Sequence, residues 1–165
     1  MTTTQRLLAQ LEQESAATRK MLSVVPDGKF DWQPHPRSMT ISRLATHLAE
    51  LPGWITITLT TDGLDLGNNP FVPPLVNNRA ETLDFFENKL AQGRTSLQNA
   101  TDEDLAPNWT MRNNDYVISV RPKEEVISMA INQIIHHRAQ MGVFLRLLDV
   151  PIPGSYGPSA DEMMM

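Results

Sequence analysis

A chain of 165 residues with a formal net charge of -5, 41% apolar and 20% charged, fits one folded domain, 1–165, and has no room for a second independent core. The acidic balance without any Lys/Arg block argues against nucleic-acid binding, and the lack of cysteine excludes disulfides, thiolate-ligated zinc and a thiol nucleophile. Nowhere do about eighteen apolar residues follow one another, and the polar start carries no signal-type apolar core, so a cytoplasmic protein without a membrane partner is expected.

In chain order, Leu7, Leu8, Leu11, Thr18, Met21, Leu22 and Val25 recur at helical spacing and predict a first helix over residues 4–25. Pro26, Asp27 and Gly28 end it. The following segment, residues 30–36, holds Pro34 and Pro36, which fix φ and remove donors, so it is a connector. Phe30 and Trp32 give that connector something to bury. Ser38 or Thr40 can cap a second helix with the stripe Ile41, Leu44, Leu48, Leu51 and Ile55. His47 falls on the rim of this stripe, and Glu50, three residues on, shares its neighbourhood. Pro52-Gly53 kinks or breaks the helix, and residues 62–74, dominated by Gly, Asn and Pro, read as a long loop.

Leu83, Phe86, Leu90 and Leu97 mark a third amphipathic helix over residues 79–98. Residues 109–112 and 116–120 flank Asn113-Asn114-Asp115 and read as a short hairpin. Pro122 suits the first turn of a last helix running to Leu148, with Glu124 and Glu125 near its N-terminus. From Glu125 to Leu148 this helix would span roughly 36 Å at 1.5 Å per residue. Beyond it, residues 149–158 are too rich in Pro and Gly for helix. Four amphipathic helices with long connections after the second and third predict an all-α four-helix bundle with crossover links. The last helix is apolar on most sides: Val126, Ala130, His137, Met141 and Phe144 on one face, Ile127, Ile131, Ile135 and Leu145 elsewhere. Such a helix needs two neighbours or a second subunit, and a homodimer is expected.

Two of the four histidines lie in the stretch Asn132-Gln133-Ile134-Ile135-His136-His137-Arg138-Ala139-Gln140. Gln133 and His137, at i and i+4, share one helical face, whereas His136 is rotated by about 100°. Bundle metal sites are built from inward side chains on facing helices, and His47 with His137 fits that plan. Spacing alone leaves the plainer reading open, in which each is a hydrogen-bonded core histidine. By the same measure His35 reads as a surface or packing residue and Glu50 as a solvated helix charge. Arg138 and Gln140 read as makers of structural hydrogen bonds. Ser155 and Ser159 have no His and carboxylate at a spacing that suggests nucleophilic catalysis.

Four blocks together resemble the DinB-like family of damage-inducible proteins, which is related to metal-dependent thiol transferases. They are Asp31-Trp32-Gln33-Pro34-His35-Pro36; Ile41-Ser42-Arg43-Leu44-Ala45-Thr46-His47-Leu48-Ala49-Glu50-Leu51-Pro52; His136-His137-Arg138-Ala139-Gln140 with Phe144-Leu145-Arg146; and residues 150–162, Val-Pro-Ile-Pro-Gly-Ser-Tyr-Gly-Pro-Ser-Ala-Asp-Glu. The resemblance implies an up-down-down-up four-helix bundle, frequent homodimers, and a divalent metal such as zinc or nickel held by three histidines. One of these matches His47. The other two form an H-x-x-x-H pair whose second member matches His137 and whose first falls on Gln133. An amide is a weaker ligand than imidazole for these borderline metals.

The resemblance further implies a metal that activates a low-molecular-weight thiol for transfer or isomerisation, with a small-molecule substrate. Two functions follow for this chain. In the first it is a metal-dependent thiol transferase or hydrolase with His47, His137 and Gln133 at the metal. In the second it is a non-catalytic, dimeric, stress-associated binding protein whose metal site is degenerate and whose Gln133 hydrogen-bonds His137.

Overall fold

The structure, a computed structural model, describes residues 1–68 and 74–163. Residues 69–73 of the expected loop, and Met164 and Met165, lie outside the described residues. Helix α1 (Thr3–Ser23) begins at a capping box: the Thr2 hydroxyl accepts from the Gln5 N–H while the Gln5 side chain accepts from the Thr2 N–H. Its inward stripe, Leu7, Leu11, Thr18, Met21 and Leu22, is closed to solvent. The connector turns through a short 3-10 segment (Asp27–Lys29). Phe30 is buried there, and Trp32 meets Phe144 edge-on with ring centres 5.8 Å apart.

Thr40 caps α2 (Ile41–Glu50) by accepting from the Arg43 N–H. The helix breaks at Pro52, and α3 (Gly53–Thr60) follows directly. The break packs against Gly93 of α4 (Arg79–Asn99): a Cβ on Gly93 would collide with the Pro52 carbonyl oxygen. Only glycine lets the two backbones approach this closely. Helix α1 packs on α4 and on α6 (Lys123–Leu147), and α2 and α3 pack on the same pair. The bundle is therefore up-down-down-up, with α1 diagonal to α2–α3. Leu44, Leu48, Phe86, Leu90, Ile127, Ile131 and Ile134 fill its centre. Helix α6 is thus flanked within its own chain, and this accounts for apolar residues on several of its sides.

The expected hairpin is present as β2 (Asn108–Asn113) and β3 (Tyr116–Pro122), antiparallel with an irregularity between Met111 and Arg112. Asn114 takes positive φ, 52°, at its turn, a conformation asparagine tolerates better than most residues. One strand was not foreseen. Within the expected loop, β1 (Gly63–Asp65) pairs parallel to β2, with Gly63 opposite Thr110. Three residues give no readable period, and the pairing is with a strand more than forty residues away. Helix α5 (Asp102–Leu105) also escapes the sequence pattern. Its Asp102 carboxylate accepts from the Thr3 and Thr4 N–H groups, both at 2.9 Å, and closes the start of α1.

After α6 the tail is non-helical until α7 (Ala160–Met163). It is strapped to the bundle at two places. The Tyr156 hydroxyl donates to Glu14 and accepts from Arg138, and Asp161 takes a two-point contact from Arg146. Arg138 therefore makes the structural hydrogen bonds expected of it, and they extend to a buried ion pair with Glu14. Among the described residues no helix is long and apolar enough to cross a membrane.

Candidate functional site

Helices α2 and α6 bring His47 and His137 together. Their rings lie 4.6 Å apart, centre to centre, at 76° to one another. The two positions are ninety residues apart in sequence; the helical period puts His47 on the rim of the apolar stripe of α2 and His137 on the apolar face of α6. His137 is buried. His47 is about one-third exposed at its side chain and forms a wall shared by two cavities.

Each imidazole is held at the same atom. His47 Nδ1 lies 2.6 Å from Glu50 Oε1, and His137 Nδ1 lies 2.8 Å from Gln140 Oε1. A carboxylate and an amide oxygen accept, so both rings donate from Nδ1 and carry their lone pair at Nε2. Oxygen partners of this kind orient metal-ligating histidines and select the Nδ1–H tautomer, which leaves Nε2 to ligate. Burial lowers the pKa of His137 below its usual value; the Gln140 bond opposes this, and the neighbouring His47 and His136 add to the lowering. Its neutral, ligating form is favoured.

Two of the expected placements need correction. Glu50 is not a solvated helix charge: it is buried, because its side of α2 turns toward α3 and the sheet, and it holds His47. The partner of His137 Nδ1 is Gln140, not Gln133, because the residue three positions on curls back along the helix to meet it. His136, rotated away from the Gln133–His137 face, is exposed, yet its ring centre lies 4.8 Å from that of His137. Gln133 is exposed one turn before His137, and it lines a cavity of about 230 Å³ together with His47, Trp54, Met111 and Met129.

His47 and His137 offer two imidazole donors, and the Gln133 amide lines the cavity that His47 also lines. They do not form a three-histidine site. Among the described residues no three His, Asp or Glu side chains are grouped so as to hold a metal ion. Nitrogen donors from two facing helices suit zinc or nickel, and the remaining positions would fall to the Gln133 amide and to solvent or a bound thiol.

A larger cavity of about 440 Å³ opens on the other side of His47, between α2–α3 and β1. Its polar wall is Arg43, His47, Glu50 and Trp54. Spaced by four, three and four, these residues make a polar stripe along one helical face that crosses the Pro52 break. Arg43 and Trp54 were missed in the sequence because each alone reads as ordinary; the spacing shared with His47 was the available signal. The segment before α4 closes the cavity rim. Val76 donates its N–H to the Thr46 hydroxyl at 3.0 Å and accepts from the Ser42 hydroxyl, which sets Leu75 at the opening.

The sequence pattern of the DinB family matches residues 1–164. The uncharacterized protein YrdA of Bacillus subtilis (strain 168) is 26% identical over 164 residues, 97% of this chain and 92% of that protein. Among solved structures, a DinB-like protein from Bacillus cereus ATCC 10987 superposes with a TM-score of 0.71 at 23% identity, over 91% of this chain and 95% of that one. YfiT from Bacillus subtilis, described as a probable metal-dependent hydrolase with an unusual four-helix bundle topology, superposes with a TM-score of 0.65 at 13% identity, over 90% and 89% of the two chains. The mycothiol-dependent maleylpyruvate isomerase gives a TM-score of 0.61 at 13% identity, over 86% of this chain and 63% of that one.

Proposed function

This chain belongs to the DinB family, and on that premise we propose that it binds a divalent metal, zinc or nickel, through His47 and His137 and acts on a small molecule as a metal-dependent transferase or hydrolase. The observation that carries this reading is the matched pair of Nδ1 contacts, 2.6 Å to Glu50 and 2.8 Å to Gln140, on two rings whose centres lie 4.6 Å apart, which leaves the Nε2 of each without a partner. Glu50 and Gln140 hold the ring planes. Burial keeps His137 neutral. Gln133, at the cavity edge, offers its amide oxygen as the third protein donor. A bound metal supplies Lewis acidity, which at neutral pH favours the anionic form of a thiol or water. The metal-dependent and mycothiol-dependent descriptions of two structural neighbours support the metal and a low-molecular-weight thiol as cofactors. The reading includes a cytoplasmic location and a homodimer, the latter supported by Met129, Val143 and Leu147, which remain exposed on α6.

One observation favours a second reading. The third family histidine is a glutamine, and the described residues contain no group of three His, Asp or Glu metal donors, as a non-catalytic, stress-associated binding protein with a degenerate centre would show. Elemental analysis of protein purified without metal chromatography, followed by titration with zinc and nickel, separates the two. Near-stoichiometric metal that disappears in His47→Ala and in His137→Ala supports the first reading. Metal content unchanged by both substitutions would rule out these ligands, and no binding at micromolar metal would leave the binding-protein reading.

A further inference from the structure

We propose that the cavity between α2–α3 and β1 is a binding site for a small apolar carboxylate that carries an amide, of the N-acyl amino acid type. Two residues of its wall, Glu50 and Trp54, each carry a polar atom that the protein itself leaves unanswered. Glu50 Oε2 and Trp54 Nε1 are each buried without a hydrogen-bond partner among the described residues. Glu50 is more than nine-tenths buried. Its Oε1 is committed to His47, so only Oε2 is free to accept. Trp54 Nε1 can only donate. Buried polar groups are nearly always partnered, and two orphans on residues that line one cavity, four positions apart across the Pro52 break, mark a place completed by something from outside the chain.

The chemistry of the pair defines the group that completes it. A secondary amide offers an N–H to Glu50 Oε2 and a carbonyl oxygen to Trp54 Nε1–H. At the mouth, Arg43 is exposed and makes no ion pair among the described residues, so its guanidinium is available for a carboxylate. Apart from Thr46, whose hydroxyl is taken up by Ser42 and Val76, the remaining wall, including Met39, Leu64 and Met111, is apolar and suits an aliphatic side chain. Because Glu50 shares α2 with His47 and Trp54 follows just across the Pro52 break, a ligand seated here lies beside the His47 imidazole. The site nevertheless stands without a metal, and it is tested without one.

The test is titration of chelator-treated protein with N-acetyl-L-leucine and N-acetyl-L-methionine, read from the indole N–H resonances of the three tryptophans. Trp54 is assigned by its loss in Trp54→Phe. A saturable downfield movement of the Trp54 resonance is expected, while Trp109, which already donates to Thr61, stays in place. The amide-free probe 4-methylpentanoate should leave Trp54 unmoved. Arg43→Gln, an exposed substitution that leaves the core intact, should weaken binding of the N-acetyl amino acids about tenfold or more. No movement with either probe up to roughly 10 mM, equal binding by Arg43→Gln, or equal movement with 4-methylpentanoate would each overturn the proposal. Since no metal takes part, these outcomes are independent of whether His47 and His137 bind one.

Discussion

Glu14 of α1 and Arg138 of α6 form an ion pair at 2.7 Å with almost no exposure on either side. Arg138 also donates to the Glu14 carbonyl at 3.0 Å and to Thr18, and Tyr156 closes the pair from the tail. The network ties three parts of the chain together. Removing one partner strands the other as an uncompensated buried charge, which costs about 3–5 kcal/mol. Arg138→Met should therefore lower unfolding stability by about that amount in denaturant titration. The double variant Glu14→Met/Arg138→Met should lose clearly less than the sum of the singles. Additive losses would mean that the pair is not coupled as the geometry requires.

How much of this was legible in the sequence follows from the range of the interactions involved. The four long helices were readable because Leu7, Leu11, Leu44, Leu48, Phe86, Leu90, Ile127 and Ile131 repeat at the helical period, and Thr40 could be named as a candidate cap from its position alone. The pairing of His47 with His137 was one reading of the same periodicity, which puts His47 on the rim of one core-facing stripe and His137 on another. By contrast, the roles of Glu50 and Gln140 depend on which rotamer reaches an imidazole three residues away, and no periodicity encodes that. Strand β1 exists because Gly63 comes close to Thr110, where a Cβ would meet backbone. The Glu14–Arg138–Tyr156 network joins residues more than 120 positions apart, beyond any local pattern.

Gly93 supplies a test of the bundle itself. The Pro52 carbonyl occupies the space that a methyl group at position 93 would need, and Pro52 is backbone in the break between α2 and α3, which cannot swing aside as a side chain could. Gly93→Ala should cost about 1–3 kcal/mol despite the higher helix propensity of alanine. Gly28→Ala, where a Cβ would meet nothing within 4 Å, is the matched control and should change stability by less than about 1 kcal/mol. Equal effects of the two substitutions on the denaturant midpoint would show that α2, α3 and α4 do not approach as described.

Gln133 tests the proposed metal site by gain rather than loss. The residue lies one helical turn before His137 and lines the same cavity as His47. Replacing its amide with an imidazole would add a nitrogen donor on the face that already carries one, so Gln133→His should tighten zinc or nickel binding by roughly tenfold or more in competition titrations. The gain should vanish when His47→Ala is added, because only two donors on one helix then remain. Unchanged affinity in Gln133→His would remove Gln133 from the coordination sphere while leaving the test of His47 and His137 standing.

The tail should come away from the bundle in acid. Asp161 holds its carboxyl at a pKa of about 2, first through the Arg146 guanidinium and then through the Ile152 N–H. Glu162 is lowered by the N–H groups of Ser159 and Gly154. A carboxyl near 4 in the unfolded chain and lower in the folded one contributes stability that is fully present above about pH 4 and is lost as pH falls toward 2. Hydrogen-exchange protection of the Ile152 and Gly154 amides should thus be constant from about pH 7 to 5, relative to the intrinsic exchange rate, and fall below about pH 4. In Asp161→Asn the Ile152 protection should already be weakened at neutral pH. Protection that survives undiminished to about pH 2, or that ignores the substitution, would show that the α6–tail contact rests on Tyr156 and apolar packing instead.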